Sequence, residues 1–162
     1  MNVRPTSDRL RETLFNVISP RIEDARFLDL CAGSGAVGIE ALSRGASYAT
    51  FVDRSRRSCT LIESNLALCR VPDDQQEIYC SEASEFLRQT TSPPWDIIYF
   101  DPPYKDDYMK TLDRLGSSKL LADDGVLIVE HHHKNLPPET IGNLSRTRVL
   151  KQGDSSLSFY ER

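Results

Sequence analysis

The apolar residues Leu10, Leu14, Val17 and Ile18 recur at helical spacing, which predicts an amphipathic helix over residues 6–18. Thr6 or Ser7 is placed to cap its start and Pro20 to stop it. The apolar run 27–31 then feeds directly into Gly33, Ser34 and Gly35, after which helical periodicity resumes over 36–43. A second strand over 49–53 and a third helix over 55–69 follow, the latter with Cys59, Ile62, Leu66 and Cys69 on one face. Residues 77–80 read as a third strand and 82–88 as a short helix, and Pro93 and Pro94 break the chain before a fourth strand over 97–101. A helix over 108–115 and a fifth strand over 126–130 complete the alternation.

Strands alternating with helices imply a parallel sheet covered on both faces, because each right-handed crossover lays its helix on the sheet. The last two apolar segments, 147–150 and 157–160, are joined by a turn containing Gly153 and Asp154 with no room for a helix. They are expected to pair as an antiparallel hairpin at the sheet edge. The expected fold is therefore a three-layer α/β/α domain spanning 1–162, with neither internal repeat nor low-complexity segment.

Composition narrows the class. The 162 residues are 39% hydrophobic and 27% charged, with no apolar run near the roughly 18 residues of a membrane span and no signal segment. A cytoplasmic, monomeric protein that contacts no membrane is expected. Cys31, Cys59, Cys69 and Cys80 show no C-x-x-C pairing and are expected as reduced core thiols. The net charge of −4 disfavours a general polyanion binder, yet Arg4, Arg9 and Arg11 concentrate positive charge at the N-terminus.

The segment from Asp29 through Ala32, Gly33, Ser34 and Gly35 to Gly38 contains G-x-G-x-x-G. Such a turn lets the backbone approach a ligand and aims free N–H groups of the following helix at it, so it accepts a nucleotide or a carboxylate. Asp53 ends the second strand, where a carboxylate can accept from ribose hydroxyls. Asp29 ends the first, placed either to hold the turn or to meet a cationic ligand terminus. The glycines alone also fit a nicotinamide-dependent oxidoreductase.

Asp101, Pro102, Pro103 and Tyr104 follow the fourth strand, and hydride transfer has no need of them. Methylation of a base amine does. The lone pair of an exocyclic amine is conjugated into its ring, and acceptors that hold its hydrogens favour a pyramidal nitrogen. Asp101 and the carbonyl of Pro102 offer such acceptors, the two prolines stiffen the surface, and Tyr104 can stack on an extruded base. Alignment with a sulfonium methyl would supply most of the catalysis, with no metal. His131, His132 and His133 adjoin the fifth strand, but successive strand residues point to alternate faces and cannot all meet one ion. His131 or Glu130 lies where open sheets bind ligands, and Trp95 is expected to pack.

The blocks from Arg4 to Asn16, Asp29 to Gly35, Glu40 to Ala46 and Phe100 to Tyr104, with the closing segment from Gly153 to Tyr160, resemble the RsmD-type bacterial ribosomal RNA guanine methyltransferases. The resemblance spans nearly the whole chain. It implies a seven-stranded, Rossmann-like class I methyltransferase sheet, S-adenosylmethionine as donor and a guanine amine in small-subunit ribosomal RNA, free or in the assembled subunit, as acceptor. Gly33, Gly35 and Asp53 would hold the cofactor, with Glu82 and Ala83 near the adenine, Asp101 to Tyr104 on the base, and Arg4, Thr6, Arg9 and Arg11 at the mouth. The family's basic hairpin before the Arg-Pro-Thr block is expected to be absent, and Glu82 stands where a shorter Asp or Asn is commoner. The same motif serves DNA adenine and cytosine amino-methyltransferases, and a noncatalytic RNA- or ribosome-binding module would share the fold.

Overall fold

The computed structural model describes residues 5–92, 94–102 and 107–162, with side chains described from Asp8 onward. Its elements are α1 (Pro5–Ile22), β1 (Arg26–Leu30), α2 (Ala36–Ser43), β2 (Tyr48–Asp53), α3 (Arg56–Leu68), β3 (Gln76–Cys80) and α4 (Ala83–Gln89). They continue with β4 (Trp95–Phe100), α5 (Tyr108–Ser117), β5 (Leu121–His132), β6 (Thr140–Ile141), β7 (Leu144–Gln152) and β8 (Ser155–Glu161). The strands form one eight-stranded sheet in the order β3-β2-β1-β4-β5-β8-β7-β6. The first five run parallel, and β8 inserts antiparallel between β5 and β7 as the predicted closing hairpin. The strand beyond the seven expected is β6, a two-residue pairing with β7 that no apolar run announces.

Two cores flank the sheet, and strand alternation divides the side chains between them. Phe27, Phe51, Ile97, Tyr99 and Ile128 pack against α1, α2 and α3. Leu28, Leu30, Ile98, Phe100 and Val129 pack with Phe86 and Leu87 of α4 and Leu112 and Leu115 of α5. Trp95 is fully buried at the start of β4 and its indole N–H donates to Thr50 Oγ1 at 3.3 Å, the packing role its position suggested.

Helix α1 does not stop before Pro20 but continues through it to Ile22. Ile18 and Ile22 lie one turn apart and are both buried, and their burial outweighs the one hydrogen bond that proline removes from the last turn. The cysteines depart from the expectation of core thiols. Cys31 and Cys59 are half-buried, whereas Cys69 caps the end of α3 and Cys80 ends the edge strand β3, both exposed. No helix among the described residues is long and apolar enough to cross a membrane.

Candidate active site

The turn after β1 is built from three backbone reversals. Cys31, Gly33 and Gly35 all have positive φ, at 63°, 60° and 81°. Glycine adopts that region freely, while Cys31 does so at a steric cost. The turn is fixed to its neighbours by hydrogen bonds from the N–H of Ala32 to the carbonyl of Val52 at 2.9 Å and from Gly35 to Ala32 at 2.8 Å. Asp53 fastens it further: one carboxylate oxygen accepts the N–H of Gly33 at 2.9 Å, and the other accepts that of Ser55 at 2.9 Å.

The glycines of the pattern do different work. A Cβ on Gly33 would meet nothing within 4 Å, so this backbone faces open space where a ligand can approach. A Cβ on Gly38 would fall 2.5 Å from the Phe51 ring, so this glycine lets α2 pack closely on β2. Asp29 accepts the N–H of Gly38 at 3.0 Å, which gives it the turn-holding role, and it also faces the cleft.

Two adjoining clefts open at the carboxyl ends of the strands, the place where open parallel sheets bind ligands. The first lies over the ends of β2, β3 and β4 and is lined by Asp53, Arg54, Ser81, Ala83, Phe100 and Pro102, among others. Its far wall is tied together by Asp107, whose carboxylate accepts the N–H of Ser84 at 3.2 Å and also its hydroxyl. The second lies over β1, β4 and β5 and includes Asp29, Gly33, Ser34, Tyr99, Asp101 and Glu130, with Arg11 reaching in from α1. Cys31 lines both.

Burial and the nearby carboxylates of Asp101, Asp53 and Glu130 push the Asp29 carboxyl well above the usual range, against the pull of its bond from Gly38. Burial and Glu130 likewise raise the Tyr99 phenol, whose hydroxyl donates to the Glu130 carboxylate. Burial also pushes up the Cys31 thiol, which makes it a poor nucleophile. The second cleft is therefore rich in acceptors and suited to amine or ammonium groups.

Most of the residues singled out from sequence converge here. Ala32, Gly33, Ser34, Asp29, Asp101 and Arg11 line the second cleft, and Asp53, Ala83 and Pro102 the first. Arg11 is held by Glu40, its Nε donating to Oε1 at 3.1 Å, while Arg44 donates to the other oxygen at 2.9 Å. Arg9 is exposed on α1. Glu82 precedes α4 and turns outward, 3.7 Å from Arg54, toward a neighbouring open groove. Arg4, Pro103, Tyr104 and the side chain of Thr6 lie outside the described residues.

Sequence reasoning passed over Tyr99, Ser81 and Asp107. Tyr99 was legible as the residue two before Asp101, on the same strand face. Of the three histidines, His131 turns to the Ser158 hydroxyl at 2.7 Å. His132 and His133 stack with ring centroids 4.6 Å apart, because β5 ends at His132 and alternation no longer separates them. Their ligating atoms and those of Asp154 lie within 4.8 Å of one another, at the hairpin end and on neither cleft.

Comparison with known proteins places this architecture. The family model described as Conserved hypothetical protein 95 matches residues 1–161. Ribosomal RNA small subunit methyltransferase D of Escherichia coli K12 is 37% identical over 161 residues, covering 99% of this chain and 80% of that protein. The protein of the same name from Haemophilus influenzae is 38% identical over 161 residues, covering 98% and 83% respectively. The solved structure of yhhF from Escherichia coli superposes with a TM-score of 0.87 at 35% identity, covering 99% of this chain and 88% of that one.

Proposed function

The chain belongs to the ribosomal RNA small subunit methyltransferase D family, and on that footing we propose that it methylates the exocyclic amine of a guanine in small-subunit ribosomal RNA. S-adenosylmethionine is the donor and supplies an electrophilic methyl group when bound. One observation carries the reading: the glycine turn and the Asp101 end of β4 open into the same cleft, so a donor held by the first meets an acceptor held by the second.

The residues fit the cofactor's chemistry. Asp53 offers its carboxylate to ribose hydroxyls beside Ser81 and Ala83, which back the first cleft. Gly33 opens the backbone toward the amino-acid end, and the surplus of carboxylates around Asp29 suits its ammonium. Asp101 and the Pro102 carbonyl hold the hydrogens of the base amine and orient its lone pair, with Tyr104 of the same motif stacking on the base. Asp101 or solvent takes the proton released as the nitrogen is alkylated. Arg4, Thr6, Arg9 and Arg11 meet the phosphates flanking that base.

Calorimetric titration with S-adenosylmethionine, followed by tritiated methyl transfer to undermethylated small subunits, their free RNA and duplex DNA, tests the proposal. Binding with transfer to a guanine in the subunit or its RNA is the expected result. Transfer to DNA alone would reassign the substrate, and binding without any transfer would favour an inert RNA-binding module.

A further inference from the structure

We infer that Glu130 selects guanine by accepting the N1–H of the base whose amine Asp101 holds. The inference rests on the reading above, that a base amine is the acceptor. The register of β4 and β5 pairs Phe100 with Val129, so Asp101 and Glu130 are the next residues outward on adjacent strands. Adjacent strands lie about 4.8 Å apart. Both side chains line the second cleft.

Glu130 is held in place from beneath. Tyr99, buried on the same face of β4, donates its hydroxyl to the Glu130 carboxylate. A hydroxyl bonded in this way fixes the direction of the carboxylate. Tyr99 is thus a positioning residue for Glu130.

The chemistry of the bases turns this acceptor into a filter. The amine of guanine adjoins a ring N1–H, a donor. Those of adenine and cytosine adjoin a bare ring nitrogen, an acceptor. Enzymes that act on an extruded base read this Watson–Crick edge. A carboxylate beside the amine site bonds the first edge and repels the other two, so selection comes from repulsion as well as attraction. Glu130 stands nearer the acceptor than the donor: it is beside Asp101 on the adjacent strand, whereas the glycine turn follows β1, two strands from β5 and about 10 Å away. The cleft proposed for the ribose opens away from Glu130, toward β2 and β3 beside Asp53 and Ser81.

The test first maps the methylated nucleotide with the full-length wild-type protein on undermethylated small subunits. Subunits are then rebuilt with 2-aminopurine at that position, which keeps the amine but presents a bare N1. Wild type should prefer guanine by about a hundredfold or more in kcat/KM. Glu130→Gln should cut that preference to below about tenfold, since an amide can turn its NH2 toward the bare nitrogen. Tyr99→Phe should lower the preference with S-adenosylmethionine affinity unchanged. Equal use of both bases by wild type, or an unaltered ratio in Glu130→Gln, would overturn the inference. So would a loss of S-adenosylmethionine affinity in a Glu130→Gln protein that melts normally, since that places Glu130 on the donor. Absence of any transfer by wild type would instead bring down the proposed function, and this inference with it.

Discussion

The N–H of Gly33 donates to Oδ2 of Asp53 across 2.9 Å, joining the turn after β1 to the end of β2 before any ligand arrives. Asp53 therefore has a duty within the fold beside the one proposed for it toward a ribose. Asp53→Ala should lose about 1–3 kcal/mol of stability, as the N–H groups of Gly33 and Ser55 lose their acceptor. It should also bind S-adenosylmethionine about tenfold to a hundredfold more weakly. Thermal melting and calorimetry on the same preparation read both effects, and an unchanged affinity would remove Asp53 from the cofactor site.

Asp101 follows β4 and not β1, across the cleft from the glycine turn, so its substitution should separate chemistry from cofactor binding. Asp101→Ala is expected to lower kcat by about 10²–10³ while calorimetric affinity for S-adenosylmethionine stays the same. Single-turnover methyl transfer gives the measurement.

Gly38 sits where a methyl group would fall 2.5 Å from Phe51. Gly38→Ala should destabilise the fold by about 1–3 kcal/mol, because the ring is boxed into the core between α2 and β2. For a chain of this size that corresponds to a Tm lower by about 2–12 °C. An unchanged Tm would mean that Phe51 moves aside without cost.

Asp29 titrates above its ordinary 3.8 in the folded protein, chiefly because it is buried. The stability contributed by its protonated form is complete below that ordinary value and is lost as pH rises through the higher folded value. Asp29→Asn keeps an oxygen for the Gly38 N–H and should flatten the pH dependence of Tm, with the variant gaining on wild type as pH rises. A bound cation would favour the ionised form, so uptake of S-adenosylmethionine near the folded pKa should release a proton. Calorimetry in buffers of different ionisation enthalpy counts that proton, and Asp29→Asn should abolish it.

Arg11 lines the second cleft and is oriented by Glu40. Arg11→Ala should raise KM for the ribosomal substrate about evenly across sequences and reduce the salt slope of binding by about one. S-adenosylmethionine affinity should not change. Filter binding over a salt series checks this.

The alternation of strands and helices was legible because each central strand is buried on both faces and reads as a continuous apolar run. The turn was legible because positive φ at Gly33 and Gly35 demands glycine. What escaped has equally physical reasons. Pro20 signalled a stop, but the signal is local and the burial of Ile22 is not. Cys69 matched the apolar face of α3 by spacing, yet the helix ends at Leu68 and leaves it outside. Tyr99 looked like one more core residue of an apolar strand, and its hydroxyl became meaningful only when β5 brought Glu130 beside it.

Helix α1 enters the second cleft at Arg11 and is riveted along its length by Leu10, Leu14, Phe15, Ile18 and Ile22 to the same core that underlies Asp29 and Tyr99. Its guanidinium is thus mounted on a rod anchored in the sheet and not on a loop. A nucleic acid gripped by Arg11 as proposed would meet a surface already set at a fixed angle to the strand ends where Asp101 stands. The ordering that would otherwise be required at each encounter has been completed once, when the chain folded.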